Sequence, residues 1–192
     1  LAKDAMDASL TQARATADAG LLRVRMNFRS PKASPTETFG GGDAEASITQ
    51  WDGVAVAIDP TTVIVLANLK AKATARIETI NIYDASGNAH ATTFKGSLRD
   101  FGAIVATLAE PLPGSVKLST QPVNAARGKF LYAAYIDVQG ENRITYFAHT
   151  RLHGFRLGPK AALYPEYSMD KLAFLIDANN ELVMLPIIRR PK

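Results

Sequence analysis

His149 and His153 stand four residues apart, a spacing at which a helix would turn both imidazoles toward one metal ion such as zinc. The residues around them argue for a strand instead. Ile144, Tyr146, Ala148, Thr150 and Leu152 alternate with Thr145, Phe147, His149 and Arg151, and a period of two puts successive side chains on opposite faces of a sheet. Four strand steps would separate the two rings by about 13 Å. The pair can share a metal only if the chain turns away from the sheet between Thr150 and His153, and on that condition they are the metal candidates. A carboxylate pair for acid–base work is not evident, because Glu141 and Glu166 fall in separate loops. Gly40, Gly41 and Gly42 would suit a phosphate cradle, but no Lys-Ser/Thr follows them and no helix start is signalled. They read as flexibility within a long loop over 30–47. No cofactor is expected.

The elements that must position these residues are mostly strands. Residues 1–19 carry Met6, Leu10, Ala13 and Ala17 at helical spacing, with Asp7, Thr11, Arg14 and Asp18 elsewhere on the cylinder and Gly20 as a stop. This is the one long helix expected, either an arm packed on its own domain, a linker to an anchor or an oligomerisation seam. After it, Leu22, Val24, Met26 and Phe28 alternate with Arg23, Arg25, Asn27 and Arg29, a half-buried strand. Short strands are then expected at 54–58, 63–69, 77–83, 89–94, 103–108, 130–136, 143–152, 172–176 and 181–185. Turn signals separate them at Asp59-Pro60, Ser86-Gly87-Asn88, Pro111-Leu112-Pro113-Gly114, Gln139-Gly140 and Asn179-Asn180. So many short strands with so little helix predict a barrel or sandwich, in which closure removes exposed sheet edges.

Composition bounds the rest. At 192 residues and 47% apolar content the chain can bury a substantial core. It has no cysteine, which excludes disulfides and thiolate metal sites. Net charge is +4, but the cations are scattered apart from Arg189, Arg190 and Lys192, so nucleic acid is not an expected partner. No apolar run reaches the ~20 residues of a membrane span. The chain starts at Leu1 rather than Met, which leaves room for a removed signal peptide, anchor or neighbouring domain.

Within the strand series, Gly53-Val54-Ala55-Val56-Ala57-Ile58-Asp59-Pro60, followed by Val63-Ile64-Val65-Leu66-Ala67-Asn68-Leu69, resembles the trypsin-like serine proteases, in particular their HtrA-like and glutamyl-endopeptidase-like branches. In that family a glycine-containing strand ends in an Ile-Asp-Pro-type turn and the next strand runs into Thr-Ala-Ala-His. Ala67 keeps the alanine and Asn68 stands at the histidine. Asp84 to Gly87 resembles the family's hairpin, and Arg99-Asp100-Phe101-Gly102-Ala103-Ile104-Val105 resembles its triad-aspartate motif. Pro111-Leu112-Pro113-Gly114 is similar to the passage into the second barrel. Further on, Leu175-Ile176-Asp177-Ala178-Asn179-Asn180-Glu181-Leu182-Val183 is similar to the segment after the nucleophile. Counting back puts the nucleophile motif on Met169 to Phe174, with Lys171 at the serine.

The resemblance implies an all-β fold of two antiparallel six-stranded-type barrels with an amino-terminal helix at 1–20. The barrels would occupy 21–188, the first about 21–114 and the second about 115–188. It also implies lost chemistry. Attack by serine needs a base that takes up the hydroxyl proton and returns it to the leaving group, as a neutral imidazole does. The carboxamide of Asn68 cannot. The oxyanion hole needs backbone N–H groups aimed by a glycine-rich turn, and Leu172 and Ala173 carry Cβ atoms at those positions. Asp100 survives, as an acceptor for the Asn68 amide or a partner for Lys171. Ser168 lies near the nucleophile position without glycine neighbours and reads as a loop serine. His90 precedes Asp100 by ten residues, too few for the family's histidine, and reads as a strand residue.

The expected function is therefore that of a degenerate protease homologue acting as a protein- or peptide-interaction module, with a periplasmic or envelope location by analogy and an oligomer or adjacent domain allowed. The alternatives are a repurposed fold binding a metal or small ligand through His149 and His153, and unconventional hydrolysis by Ser168. Phe130, Tyr132, Tyr135, Tyr146, Phe147 and Phe155 would mostly be core, leaving Tyr164-Pro165-Glu166-Tyr167 as an exposed aromatic loop.

Overall fold

The computed structural model of the chain describes residues 2–31, 47–126, 128–151 and 172–186. Helix α1 (Ala2–Gly20) leads into β1 (Leu21–Phe28), β2 (Gln50–Asp59), β3 (Thr62–Val65), a single helical turn α2 (Ala71–Thr74), β4 (Ile77–Tyr83), β5 (Ala89–Ala91), β6 (Thr93–Leu98) and β7 (Ala103–Thr107). Then follow β8 (Phe130–Gln139), β9 (Asn142–Arg151), β10 (Leu172–Ile176) and β11 (Leu182–Met184). Every strand pair is antiparallel.

The first sheet has the order β5-β4-β1-β2-β3-β7-β6. Its two outermost strands are halves of one extended segment. β5 pairs with β4 and β6 pairs with β7, and between them Thr92 donates both its N–H and its Oγ1 hydroxyl to the Ile80 carbonyl at 3.0 and 2.9 Å. One bent strand thus serves both ends of the sheet and curls it into a barrel of the six-stranded type. Inside lie Val24, Met26, Ala55, Val63, Val65, Ile82, Ile104 and Ala106, all at most 1% exposed.

The second sheet, among the described residues, is β11-β10-β8-β9. The β8–β9 turn is Gly140-Glu141, and Gly140 takes a positive φ of 61°. A tight hairpin turn favours glycine there because residues with a Cβ rarely adopt a positive φ. One face of this sheet supplies Tyr132, Ala134, Ile136, Phe174 and Ile176 to a core shared with Val54, Val56 and Leu66 of the first sheet and with Ala13 and Ala17 of α1. The other face gathers Leu131, Ala133, Tyr135, Ala173 and Leu175 into a smaller cluster.

Helix α1 is an arm on its own domain, the first of the three roles its pattern allowed. Ala13 and Ala17 are fully buried, whereas Met6, at the outer end of the same stripe, is 46% exposed. Polar contacts bind it to the second sheet. Tyr132 donates its hydroxyl to Ser9 Oγ at 2.6 Å, and Arg14 stacks over the Phe147 ring at 4.8 Å. Arg143 donates to the carbonyls of Ala17 and Leu21 and reaches Asp18 Oδ1 at 2.5 Å. A guanidinium at a helix C-terminus satisfies carbonyls that the helix itself leaves open. Gly20 is required there for closeness rather than for an unusual backbone angle, since a Cβ on it would lie 2.5 Å from the Val116 Cβ and 2.6 Å from the Val116 nitrogen.

The passage between the sheets is fixed by backbone bonds. Leu112 N–H donates to Pro60 O, Val116 N–H to Ala57 O and Leu182 N–H to Lys117 O. Arg23, expected to face outward, does lie on the outer face of β1, yet it is only 8% exposed because it stacks 3.6 Å over the Tyr83 ring beside Asp52.

Candidate functional site

Strand β3 was expected to run to Leu69 but ends at Val65. Leu66 N–H still donates to Val54 O, and Ala67 N–H then turns back onto Val65 O at 3.0 Å. That narrow turn lifts the chain out of the barrel. Leu66 and Ala67 are each 3% exposed, Asn68 is half-buried, and α2 begins soon after at Ala71. Asp100 lies on the 3₁₀ turn Arg99–Phe101 between β6 and β7, and this turn closes with Gly102 in the left-handed region at φ 62°. Because β3 and β7 are antiparallel and Val65 pairs with Ile104, the chain leaves β3 toward Asn68 at the same end of the sheet where it enters β7 from Asp100. The two residues therefore share the rim of the first barrel, and Asp100 is exposed there.

Beside them the barrel wall is split. Among the described residues, the outer edge of β6 past Thr92 has no neighbouring strand, and the opening half of β4 pairs only with β1. The split forms an open groove of about 560 Å³. Leu69, Ala71, Thr74, Ala75 and Ile77 line it from the segment that leads into β4, and Phe94, Gly96, Ser97 and Arg99 from β6 and the turn after it. The groove thus starts next to Asn68 on one wall and next to Asp100 on the other. Phe94, Leu98 and Phe101 are 41, 39 and 63% exposed around it.

The remaining candidates are dispersed. His90, in β5, is a strand residue as expected and is bound through Nε2 to Asp84 Oδ2 at 2.8 Å. Asp84 also accepts N–H bonds from Ser86 and Asn88 at 3.0 and 2.9 Å. Burial pushes this carboxyl upward, but the His90 and Asn88 hydrogen bonds outweigh it and hold the pKa below the ordinary carboxylate value. The pair clasps the β4–β5 hairpin. Because the folded-state pKa is depressed, the stability it gives is complete above the unfolded carboxyl pKa of about 3.9 and is lost as pH falls through the lower folded value. Asp84→Asn should therefore lose roughly 1–3 kcal/mol near neutrality and approach the parent in strong acid. Urea unfolding midpoints at the two pH values check this.

His149 lies on β9 opposite Tyr132, in a strand as the alternation required, whereas His153 lies outside the described residues. So do Ser168, Lys171, Glu166, Phe155 and the loop Tyr164-Pro165-Glu166-Tyr167. Leu172 and Ala173 are already ladder residues of β10, paired with Ile136 and Tyr135. Glu141, at the β8–β9 turn, reaches Arg25 Nη1 at 3.4 Å. Arg25 also grips Asp52 at 2.8 and 3.2 Å, and this hydrogen bonding, against some loss of hydration, holds its guanidinium above the usual pKa. Of the aromatic set, Tyr132 and Tyr135 are buried and Phe147 packs on the shared core, but Phe130 and Tyr146 are about half exposed at 53 and 49%. The residues that sequence reasoning missed are those of the groove. Their signal was the segment Thr93–Leu98, whose alternation is broken by Gly96.

No family model matches the chain, and no curated protein sequence matches it. Solved structures do. The HtrA-type protease AlgW with tripeptide aligns at a TM-score of 0.56 and 15% identity over 90% of this chain and 52% of that one. The HtrA-type protease AlgW with decapeptide aligns at a TM-score of 0.56 and 15% identity over 95% of this chain and 59% of that one. This chain spans little more than half the length of those proteins. At such identity the likeness is one of architecture, and the architecture of this chain is the trypsin-like fold of the HtrA-type proteases.

Proposed function

We propose that this protein is a catalytically inactive trypsin-like module that binds a protein or peptide partner. The observation that carries this reading is the exit from β3: the chain passes through Leu66, in the core shared by both sheets, and reaches the rim with Asn68, a carboxamide where the sequence resemblance implies an imidazole in active proteases. A carboxamide has no titration near neutral pH, so it cannot relay the proton that acyl transfer must move. The extended conformation of Leu172 and Ala173 in β10 supports the same reading, since successive strand N–H groups point to opposite sides and an oxyanion hole needs them aimed at one point. In this reading 21–114 and 115–188 are the two barrels, Lys171 occupies the former nucleophile position, and Asp100 remains as a rim carboxylate. The similar HtrA-type structures carry a tripeptide and a decapeptide, which favours peptide as the class of partner. The same resemblance favours the periplasm or cell envelope as its location, and no described helix is long and apolar enough to cross a membrane.

The full chain, incubated with a fluorophosphonate probe and with an unfolded protein substrate, should show neither labelling nor cleavage. It should also bind members of a soluble peptide library saturably. Labelling that disappears in Ser168→Ala would make the chain a hydrolase and end this proposal.

A further inference from the structure

We infer that the groove between α2, β4 and β6 is the docking site for an extended acidic peptide, which adds as a strand to the outer edge of β6. The inference deepens the interaction-module reading and rests on it. Three observations converge on this surface. The first is hydrogen-bonding capacity: among the described residues β6 sits at the end of the sheet order and pairs with β7 alone, with a bulge between Phe94 and Gly96, and such an edge is a template for a further strand. The second is shape. The groove's volume of about 560 Å³ lies within the roughly 300–1,000 Å³ of ligand sites, and Leu69, Ala71, Ala75, Ile77 and Phe94 give apolar surface for alternate side chains of the incoming strand. The third is charge. On the segments flanking the groove the exposed residues Lys72, Lys95 and Arg99 outnumber the exposed acids Glu78 and Asp100.

A lysine on a strand edge opposes strand addition unless the incoming strand carries the opposite charge across from it. Lys95 and Arg99 therefore select for acidic ligands while leaving the backbone edge available. Alternation completes the argument, because a strand that presents apolar side chains to the groove presents its intervening residues to the cationic rim.

The probes are three fluorescein-labelled hexapeptides titrated by anisotropy into the full chain: one alternating Glu and Val, one alternating Lys and Val, and the Glu-Val peptide with alternate backbone nitrogens methylated. The Glu-Val peptide should bind saturably. The Lys-Val peptide should bind at least about tenfold more weakly, and so should the Glu-Val peptide to a Lys95→Glu, Arg99→Glu double variant whose fold is confirmed by circular dichroism. Methylation should weaken binding about five- to tenfold, because it removes strand hydrogen bonds. No binding of the Glu-Val peptide, equal binding of the Lys-Val peptide, or indifference to methylation overturns the inference. Glu-Val binding that ignores the double variant but is lost in Asn68→Arg moves the site to the inter-barrel cleft, which leaves the interaction-module reading standing. Serine-dependent labelling by the fluorophosphonate would remove that reading independently.

Discussion

Phe174→Ala should destabilise the protein by about 3–5 kcal/mol, the range for deleting a large buried aromatic side chain. Phe174 is fully buried on β10, opposite Ala134, in the core where both sheets and α1 meet. Its neighbours there include small residues, Ala13, Ala17 and Ala134, which cannot swing in to fill the space. The loss would be a large share of the ~5–15 kcal/mol that holds a typical domain together. It should also be felt in the first barrel. The sole tryptophan, Trp51, lies on β2 with its ring against Gly53, where a Cβ would come within 2.0 Å of it. Urea unfolding followed by Trp51 fluorescence and by circular dichroism should shift by the same amount. A shift in circular dichroism with an unmoved fluorescence transition would mean that the sheets unfold separately and that the shared core does not couple them.

Arg143→Met should cost about 1–3 kcal/mol, because a largely buried guanidinium that donates to two carbonyls is lost, whereas its ion pair with Asp18, which is 53% exposed, adds little. The Ala17 and Leu21 carbonyls would lose their donor at the end of α1, and Asp18 would lose its cation. Methionine keeps most of the aliphatic stem, so the effect reports the hydrogen bonds rather than packing. Amide hydrogen exchange should show loss of protection concentrated in α1 and the start of β1. Unchanged stability, or loss spread evenly over both sheets, would show that apolar burial of Ala13 and Ala17 alone fixes the helix.

The sequence was legible wherever local pattern and tertiary environment agree. β4 and β10 fall at the residues that alternation and turn chemistry marked, Ile77–Tyr83 and Leu172–Ile176. The pattern was misleading where the environment changes within an element. The apolar run into Leu69 promised a longer β3, but the backbone bond from Ala67 to Val65 ends the strand. The stretch at 89–94 read as one strand, and the bend at Thr92 passes it from one edge of the sheet to the other. Phe94 and Leu98 carry the side chains of a buried strand yet are exposed, because whether a barrel wall closes or splits depends on β4, which lies earlier in the chain. The rim position of Asn68 was legible only through the family resemblance. Arg143 and Asp84 are ordinary charged residues in the sequence, and only folding reveals what they hold.

The contacts of α1 impose an order on events during synthesis. The helix emerges first, but its anchors lie far downstream: Tyr132 is 123 residues from Ser9, Arg143 is 125 from Asp18, and Asn180 is 168 from Gln12. At roughly 5–20 residues per second of translation, the interval before Arg143 is even polymerised is about 6–25 s. Through that time α1 has Val54, Val56 and Leu66 of the first barrel to pack on but lacks its polar anchors. Its docking is completed only once the second sheet has been made.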